Sequence, residues 1–371
     1  MEENRTFKAF VVENKTKMGI KRIDINSLDE GNVTVKVSFS SFNFKDGLAI
    51  SGKIPIFKKY PMIPGVDFSG TVIDSNSKLF KPKQKVILNG WGVGEKHTGG
   101  FSQIARVKSD WLISLPKKIS EKQSMIIGSA GYTAALCVLT IKNKLRPKDG
   151  DILVTGASGG VGSIAINLLS NLGYNVVALS AKNKSYLKKL GAKIVLSRKE
   201  YKMNEKPLSS EKWAGCIDTV GGDILSNILT EIKYDGIVAS TGLAKSPNLN
   251  TTVYPFILRN ITLSGVDCVY TNNKKRIKAW ELIADKLDFS KLELIKNEKS
   301  LRDLKSLSRK ILKGEIKGRT LINVNIWIMF SSKDYKDIVS ILRNVSEEAS
   351  KKILEIYNSE FKVNYKSDNS P

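Results

Sequence analysis

Histidine and cysteine are scarce in this chain of 371 residues, which has one histidine and three cysteines. His97, Cys137, Cys216 and Cys268 are widely separated, and no two cysteines form a CxxC pair. A tetrahedral zinc site needs several such ligands close together, so the residues for one are missing. The same spacing offers no disulfide framework, so we expect a reducing compartment and interpret the cysteines as small apolar residues.

Long apolar stretches are also missing. The first residues, MEENRTFKAF, include acidic side chains and no signal-peptide core, and we find no run of about 18 uncharged apolar residues. We therefore expect a soluble, cytoplasmic protein without a membrane partner. Hydrophobic residues make up 41% of the chain, which is enough for the cores of two domains.

Acidic residues are outnumbered, with 36 Asp and Glu against 60 Lys and Arg and a formal net charge of +24. Such an excess is typical of proteins that bind nucleic acid or membrane surfaces. Here the basic residues are dispersed, and no basic stretch is interleaved with stacking aromatic residues. We interpret the densest stretch, NNKKR at 272–276, as a solvated loop, and we expect no specific nucleic-acid partner.

Two patterns of apolar residues divide the chain. Up to about residue 125, short alternating segments separated by Gly, Pro and Asn predict a compact β-barrel-type domain. From Ser129, helical and strand patterns alternate through 152–155, 161–172, 176–180, 215–219, 237–240 and 263–266, which predicts an α/β doubly wound parallel sheet. We assign 1–125 and 268–325 to the first domain, 126–267 to the second, and 326–371 to an appended helical tail.

The strongest local motif is VTGASGGVG, which lies between a predicted strand and a predicted helix. Gly156, Gly159 and Gly162 let the backbone approach a pyrophosphate at the helix N-terminus, as in a Rossmann domain. The bland alternative is an ordinary glycine-rich turn. The predicted cofactor-binding residues of this motif are Ser158, Gly159, Gly160, Val161 and Gly162.

The end of the second strand of the parallel sheet distinguishes NAD from NADP. An NAD site places Asp or Glu there, whereas this chain has Ser180, Ala181 and Lys182, with Arg198 one strand further. A hydroxyl and two cations suit the 2′-phosphate of NADPH. The alternative for Lys182 is that it is one more surface lysine.

A series of segments resembles, in order, the acryloyl-CoA reductase and quinone oxidoreductase branch of the medium-chain dehydrogenase/reductase superfamily. They are NFKDGLAISG, PMIPGVDFSGTV, GWGVGEKHTGGF, GSAGYTA, VTGASGGVG, WAGCIDTVGG, PFILRNITLSGVD and GEIKGRTLINVN, and the similarity covers 7–325. The resemblance implies a GroES-like catalytic domain beside the Rossmann domain, NADPH as cofactor, an acyl-CoA substrate and a homodimer.

Zinc-dependent members of that superfamily have Gly-His-Glu where this chain has Gly65, Val66 and Asp67, so the resemblance implies a zinc-independent enzyme. Carried over residue by residue, Asn43, Phe44 and Asp46 face the nicotinamide. Phe44 replaces the usual tyrosine, so the proton must come from water or another group.

The resemblance also points to a histidine near the cleft and to a wall on the nicotinamide side. His97 is either a proton donor at the cleft or a solvated loop residue. The segments with Leu243, Ile257 and Cys268 resemble the nicotinamide-side wall, with Asn325 at its edge. The alternative for the isolated apolar side chains is plain core.

The resemblance implies hydride transfer from NADPH to the β-carbon of an enoyl thioester, such as acryloyl-CoA, and a proton to its α-carbon. The alternatives are an NADPH quinone or enone reductase, and a non-catalytic NADPH- or RNA-binding protein. The segment from Met329 resembles the opening helix of inositol monophosphatase-like bisphosphate nucleotidases. We expect either a gene-fusion remnant or a tail that docks on its own domain.

Overall fold

The computed structural model describes residues 6–180, 183–197, 200–203, 206–326 and 332–358. Residues up to Asn325 form one compact unit, and residues from Ile326 form a second. The finer division of the first unit at residues 125 and 267 stays a prediction.

Short strands dominate the first part of the described chain, and helices become frequent after residue 120. The strands are β1 (Thr6–Val12), β2 (Met18–Asp24), β3 (Val33–Phe42), β4 (Asp67–Ser75), β5 (Lys85–Asn89), β6 (Ile104–Val107), β7 (Leu112–Ser114), β8 (Ile152–Val154), β9 (Val176–Leu179), β10 (Ile194–Leu196), β11 (Trp213–Asp218), β12 (Ile232–Ser240), β13 (Thr262–Gly265), β14 (Lys296–Ser300) and β15 (Arg319–Asn323). The helices are α1 (Phe44–Ser51), α2 (Glu121–Lys142), α3 (Gly160–Asn171), α4 (Lys184–Leu190), α5 (Gly222–Glu231), α6 (Tyr254–Arg259), α7 (Asn273–Lys286), α8 (Leu292–Ile295), α9 (Leu304–Leu312) and α10 (Ser332–Tyr357).

The central strands form a six-stranded sheet in the order β10-β9-β8-β11-β12-β13, and every pair in it is parallel. Strands such as β8 and β9 consist of apolar residues that are all buried, as expected where helices cover both faces. Counted within the sheet, the order is 3-2-1-4-5-6, which is that of a doubly wound dinucleotide-binding domain. The predicted α/β fold class is confirmed.

The other large sheet has the order β14-β15-β3-β4-β5-β7, with β6 paired to β3, and β1 and β2 form a separate hairpin. β15 pairs antiparallel with β3, so the chain returns to the first domain after the parallel sheet, as the sequence predicts. This return places residues near 320 beside residues near 40.

Among the described residues, α2 is the helix that is long and apolar enough, by length and composition alone, to cross a membrane. However, 78% of its most apolar 18-residue stretch is buried inside the fold. It packs against α3 and α7, and most of its apolar side chains between Met125 and Ile141 belong to the main core. Packing within the protein therefore explains its composition.

Some elements differ from the sequence predictions. Helix α2 begins at Glu121, before Ser129, where the sequence predicts that helical patterns start. Ser120 caps it by accepting a hydrogen bond from the Gln123 N–H at 3.1 Å. The interpretation of 272–276 as a solvated loop is wrong, because Asn272 caps α7 and the Arg276 side chain is buried. The segment has few apolar residues, so its sequence shows no clear helical pattern.

The second unit contains α10, a single helix of 26 residues. This helix lies within 326–371, where the sequence predicts an appended helical tail. The resemblance to a nucleotidase helix stays a prediction.

Candidate nucleotide and active site

The glycine loop connects β8 to α3 at the carboxyl edge of the parallel sheet. Gly159 caps α3, and Gly160, Val161 and Gly162 form its first turn. The N–H groups of a first helical turn have no partner within the helix and carry partial positive charge. The loop therefore presents an anion site where the sequence predicts one.

The glycines of this loop are required for its shape. A Cβ on Gly162 would lie 2.6 Å from the Ala157 Cα, and Gly156 has a left-handed φ of +55°. In contrast, a Cβ on Gly159 would meet only the Gly156 carbonyl oxygen, at 3.2 Å. The loop is thus closely packed on its inner side and open at the helix N-terminus, an arrangement that fits a pyrophosphate.

The end of β9 meets this loop through two serines. The Ser180 hydroxyl donates to the Ser158 Oγ at 3.2 Å, and the Ser158 carbonyl accepts from the Gly318 N–H at 3.0 Å. Lys317 lies next to that contact, with its Nζ 4.6 Å from the centre of the Tyr186 ring. Lys317, which the sequence analysis missed, therefore precedes the residue that bonds Ser158 and places its ammonium over the Tyr186 ring. Ala181, Lys182 and Arg198 lie outside the described residues.

Arg319 joins the glycine loop to the first domain. Its buried guanidinium donates to the Asn43 Oδ1 at 3.1 Å, the Ser41 Oγ at 2.7 Å and the Ile126 carbonyl at 3.1 Å. Its aliphatic stem packs over Gly160, where a Cβ would lie 3.0 Å from the Arg319 Cδ. One side chain thus contacts both halves of the predicted site.

Arg319 belongs to a buried network of hydrogen-bonded polar groups. Its members are Ser41, Asn43, Asp46, Asp67, Asn89, Ser129 and Arg319. Asp67 accepts from the Ser41 hydroxyl at 2.7 Å, from the Ser129 N–H at 2.7 Å and from the Asn43 amide at 3.2 Å. Asn89 extends the network by donating to the Ser129 Oγ at 3.2 Å.

Asp46 is fully buried at the start of α1, where it accepts from the N–H groups of Asn43 at 2.9 Å and Val66 at 3.2 Å. Burial, together with the nearby Asp67 carboxylate, raises the pKa of Asp46 to about 7. Because both of its oxygens accept from backbone, Asp46 holds the loop that carries Asn43 and Phe44. We assign it a positioning role.

Asp67 occupies the position where zinc-dependent relatives have their metal motif. Its carboxylate is already surrounded by donors from Ser41, Asn43 and Ser129, with the Arg319 charge nearby. Within the described residues, no group of three or more His, Cys, Asp or Glu side chains is arranged to hold a metal. The zinc position is thus part of the buried network.

The solvated-loop alternative for His97 is wrong, whereas the proton-donor alternative stays a prediction. His97 is 8% exposed, so it is not a solvated loop residue. Its Nδ1 faces the Thr98 carbonyl at 3.1 Å, its Nε2 faces the Glu30 carbonyl at 3.0 Å, and its ring packs edge-on against Trp111. A neutral imidazole has one N–H and can donate to only one of these carbonyls, and the packing against Trp111 favours a structural role.

The remaining predicted residues lie in different settings. Phe44 is 40% exposed, whereas Asn43 is buried. Leu243 and Ile257 are 58% and 70% exposed, so for these two residues the core alternative is wrong. Cys268 is half-buried, and burial raises the pKa of its thiol.

Asn325 lies outside the buried network. Its amide donates to the Val37 carbonyl at 3.3 Å, and its Oδ1 accepts from the Gln103 side chain at 3.3 Å. These contacts fix the end of β15 to the first domain. A role at the nicotinamide stays a prediction.

Sequence reasoning missed Ser41, Asp67, Ser129, Lys317 and Arg319 as site residues. The available signal was Arg319 at the start of the apolar segment RTLINV, since an arginine in a buried strand needs several acceptors. Its partners are more than 190 positions away in the sequence. Only the return of β15 to the first sheet brings them together.

The parallel sheet, its glycine loop and the neighbouring antiparallel sheet define a two-domain dinucleotide-binding architecture. The comparisons with known families agree. Residues 29–117 match the alcohol dehydrogenase GroES-like domain, and residues 160–285 match the zinc-binding dehydrogenase family.

Three curated relatives match most of the chain. A probable acrylyl-CoA reductase AcuI from Escherichia coli is 48% identical over 84% of this chain and 97% of its own length. Acrylyl-CoA reductase AcuI from Ruegeria pomeroyi is 44% identical over 86% of this chain and 99% of its own length. A putative quinone oxidoreductase, YhfP from Bacillus subtilis, is 40% identical over 82% of this chain and 94% of its own length.

Solved structures show the same fold. The yhdH oxidoreductase from Salmonella enterica, in complex with NADP, has a TM-score of 0.84 and 45% identity over 86% of this chain and all of its own. Bacillus subtilis yhfP, with NAD bound, has a TM-score of 0.82 and 39% identity over 86% of this chain and 99% of its own. The chain belongs to the medium-chain dehydrogenase/reductase superfamily, in the group of acrylyl-CoA reductase and quinone oxidoreductase homologues.

Proposed function

We propose that this protein reduces the carbon–carbon double bond of a short enoyl-CoA with NADPH, converting acryloyl-CoA to propionyl-CoA. Two acrylyl-CoA reductases, identical at 44% and 48% over nearly their whole length, support the substrate. The observation that carries the proposal is Arg319, which connects the glycine loop with the Asn43 segment of the first domain. The loop that would bind the cofactor and the segment that would face the nicotinamide are therefore adjacent.

The glycine loop fits a dinucleotide. The first-turn N–H groups of Gly160, Val161 and Gly162 would hold the pyrophosphate, and Ser158 and Ser180 would bind the adenosine ribose. When bound, NADPH supplies a hydride for the β-carbon of the enoyl thioester. Lys317, which precedes the Gly318 N–H that bonds the Ser158 carbonyl, would add a cation for the 2′-phosphate to the predicted Lys182 and Arg198.

The residues of the first domain would orient the reacting end of the substrate. Asn43, Asp46 and Asp67 are held in fixed positions by the buried network, which reduces the reorganisation needed during reaction. Phe44 is exposed and has no acidic hydrogen, and both His97 nitrogens face backbone carbonyls of the first domain. We therefore assign delivery of the α-proton to water.

Competing substrates test the reaction. NADPH oxidation by the purified protein is measured with acryloyl-CoA, crotonyl-CoA and a small quinone, and kcat/KM is compared. We expect the highest value with acryloyl-CoA. A higher value with the quinone would support the second candidate, a quinone reductase, which the 40% identical relative named as a putative quinone oxidoreductase favours.

Cofactor choice is tested separately, because a related structure has NAD bound. We expect substitution of Ser180, Lys182, Arg198 or Lys317 by alanine to weaken NADPH binding far more than NADH binding. Lys189, in the last turn of α4, provides a control lysine. Equal losses for both cofactors would contradict the assignment of the 2′-phosphate site.

We also propose a homodimer that forms through the free edge of the parallel sheet. β13 is the terminal strand of that sheet, and the preceding helix α6 exposes Tyr254, Ile257 and Leu258. An unpaired edge beside exposed apolar side chains is typical of a surface that associates with another chain. We expect Tyr254→Asp with Leu258→Asp to give a monomer in analytical ultracentrifugation, and Leu294→Asp, on α8, to leave the dimer intact.

The proposed location is the cytoplasm. Cys137, Cys216 and Cys268 are all free thiols, a pattern typical of reducing compartments. Cell fractionation with an antibody to the protein tests this, and recovery outside the cytoplasmic fraction would contradict it.

A further inference from the structure

Arg276 is a second buried arginine, near the start of α7 and 2% exposed. Its Nε donates to the Thr271 carbonyl at 2.7 Å, and its Nη2 donates to the Val269 carbonyl at 2.6 Å and the Cys268 carbonyl at 3.4 Å. Its Nη1 donates to the Asn89 carbonyl. One guanidinium thus donates to four backbone oxygens, and all three of its nitrogens are hydrogen-bonded.

These carbonyls come from both halves of the fold. Asn89 ends β5 in the first sheet, whereas Cys268, Val269 and Thr271 follow β13 of the parallel sheet. The two segments also meet directly, because the Trp91 N–H donates to the Val269 carbonyl at 3.0 Å. Gly90 allows this approach, since a Cβ there would lie 2.8 Å from the Val269 oxygen. Arg276 therefore links the two halves, and we call the linked segments, 89–91 and 268–271 with Arg276, the joint.

The joint also holds a strained aromatic residue. Trp91 has a φ of 58°, a conformation that bulky residues rarely adopt and that persists only where surrounding contacts enforce it. The Arg276 guanidinium lies 4.5 Å from the Trp91 ring centre, and the Tyr270 ring meets the indole edge-on. We attribute the Trp91 conformation to this cation–π contact together with the hydrogen bond to Val269.

The joint is continuous with the predicted reaction site. Asn89, whose carbonyl Arg276 binds, uses its side chain to contact Ser129 within the buried network that reaches Asn43. On the other side, the bound carbonyls begin at Cys268, in the predicted nicotinamide-side wall. Ligands of such parallel sheets bind at the carboxyl ends of the strands, where this segment lies.

We propose that Arg276 is a positioning residue that holds the loop from Gly90 to His97 against the segment after β13, and so fixes one wall of the reaction cleft. The effect on turnover rests on the proposed function, whereas the effect on loop order does not. Arg276 touches backbone and aromatic rings, so it acts on the site through the loop that it holds.

The test uses the full chain with Arg276→Met, which keeps the aliphatic stem and removes all the donors. Arg259→Met is a matched control, because Arg259 also donates to carbonyls, of Thr230, Ile232 and Ser209, but within the parallel-sheet half. Amide hydrogen exchange is followed by mass spectrometry without substrate or cofactor. We expect exchange in 89–97 and 267–271 to become at least about tenfold faster in Arg276→Met and to stay unchanged in Arg259→Met.

Turnover is measured on the same proteins. We expect kcat with acryloyl-CoA to fall by about tenfold in Arg276→Met, with less than about a twofold change in KM, because a loosened wall affects orientation in the transition state. Unchanged exchange would overturn the joint, and faster exchange with unchanged kcat would overturn the positioning role. An inactive wild-type protein would refute the proposed function alone, and the exchange result would still test the joint.

A milder variant covers the case in which Arg276→Met does not fold. Arg276→Lys keeps the charge but has donors on one nitrogen only, so it cannot reach carbonyls on both sides of the joint. We expect exchange in 89–97 to rise by an intermediate factor. Exchange equal to that of the wild type would show that charge suffices and would overturn the proposal.

Discussion

The glycine loop and the buried network lie next to each other, yet they are built from different parts of the chain. The loop, from Gly156 to Gly162, uses backbone N–H groups within seven consecutive residues. The network uses side chains such as Asn43 and Arg319, which are 276 positions apart. A backbone site depends on the absence of side chains, and a side-chain network depends on each member being present. Adding a side chain should therefore damage the loop, whereas removing a side chain should damage the network.

The largest effect is expected from Gly162→Ala in the glycine loop. The new Cβ would lie 2.6 Å from the Ala157 Cα, so the backbone must move out of its anion-binding shape. We expect NADPH affinity, measured by calorimetry, to fall by about 100-fold or more, since a phosphate-binding turn tolerates little displacement. Gly19→Ala, which has no atom within 4 Å of the new Cβ, is the control. An unchanged affinity would contradict the loop as the pyrophosphate site.

The next largest effect is expected from Arg319→Met in the buried network. This change removes a guanidinium from the neighbourhood of Asp46 and Asp67 and leaves Ser41 and Asn43 without its donors. We expect the free energy of unfolding, measured with urea, to fall by about 3–5 kcal/mol, as when a buried charge loses its partner. The exposed Arg309→Met, on α9, should cost less than about 0.5 kcal/mol. Similar losses for both variants would show that the buried network contributes no more to stability than an exposed arginine does.

A pH-dependent effect is expected at Asp46. Its pKa is raised to about 7 in the folded protein from an ordinary 3.8. Between these values the folded state binds a proton that the unfolded state has released, so stability is lost as pH rises towards 7. We expect the unfolding free energy of the wild type relative to Asp46→Asn to fall by up to about 1.4 kcal/mol per pH unit in this range.

The Asp46 prediction is measured by urea unfolding of both proteins at pH 5 and pH 7.5. Taking the difference between the two proteins cancels the titration of other groups. If that difference is the same at both pH values, the Asp46 carboxyl is ionised throughout, and burial is outweighed by its two backbone donors.

A smaller effect, and of a different kind, is expected at His97. Its nitrogens face the carbonyls of Glu30 and Thr98, so His97→Gln should lower the unfolding free energy by about 1–2 kcal/mol. We expect kcat to change by less than about twofold, because the ring is outside the buried network. A large loss of kcat with unchanged stability would instead restore His97 as a proton donor.

The smallest effect is expected from deletion of residues 326–371. β15 lies between β14 and β3 in the first sheet, so the unit up to Asn325 keeps its strand order without the tail. We expect the melting temperature to change by less than about 2 °C. A clear decrease would support docking of the tail on its own domain.

Much of the fold was predictable because its signals are local. The alternation of apolar strands and helices between 152 and 266 predicted the parallel sheet, and the glycine spacing predicted the loop that opens α3. The short elements β2 and α1 mix polar with apolar residues, and β14 has no apolar residue at all, so none of the three shows a clear pattern in the sequence. The start of α2 was readable from the capping pair Ser120 and Gln123.

The candidate site was predictable only in part. The glycine spacing identified Ser158 to Gly162, and the end of the second parallel strand identified Ser180. The resemblance pointed to Asn43 and Asp46. It did not indicate that Asp46 holds backbone or that Asp67 collects donors from Ser41, Asn43 and Ser129. Such functions arise from contacts, which a pattern along the chain does not encode.

The sequence by itself determined the α/β class, the anion-binding turn and the lack of zinc ligands, because each follows from residue types at short and fixed spacings. The tertiary structure alone decided that Arg319 lies between the glycine loop and Asn43, and that Arg276 joins Asn89 to the segment after β13. Hydrogen-bond partners of a buried arginine are fixed by which segments meet in space, and those of Arg319 meet because the chain returns to its first sheet after completing the second.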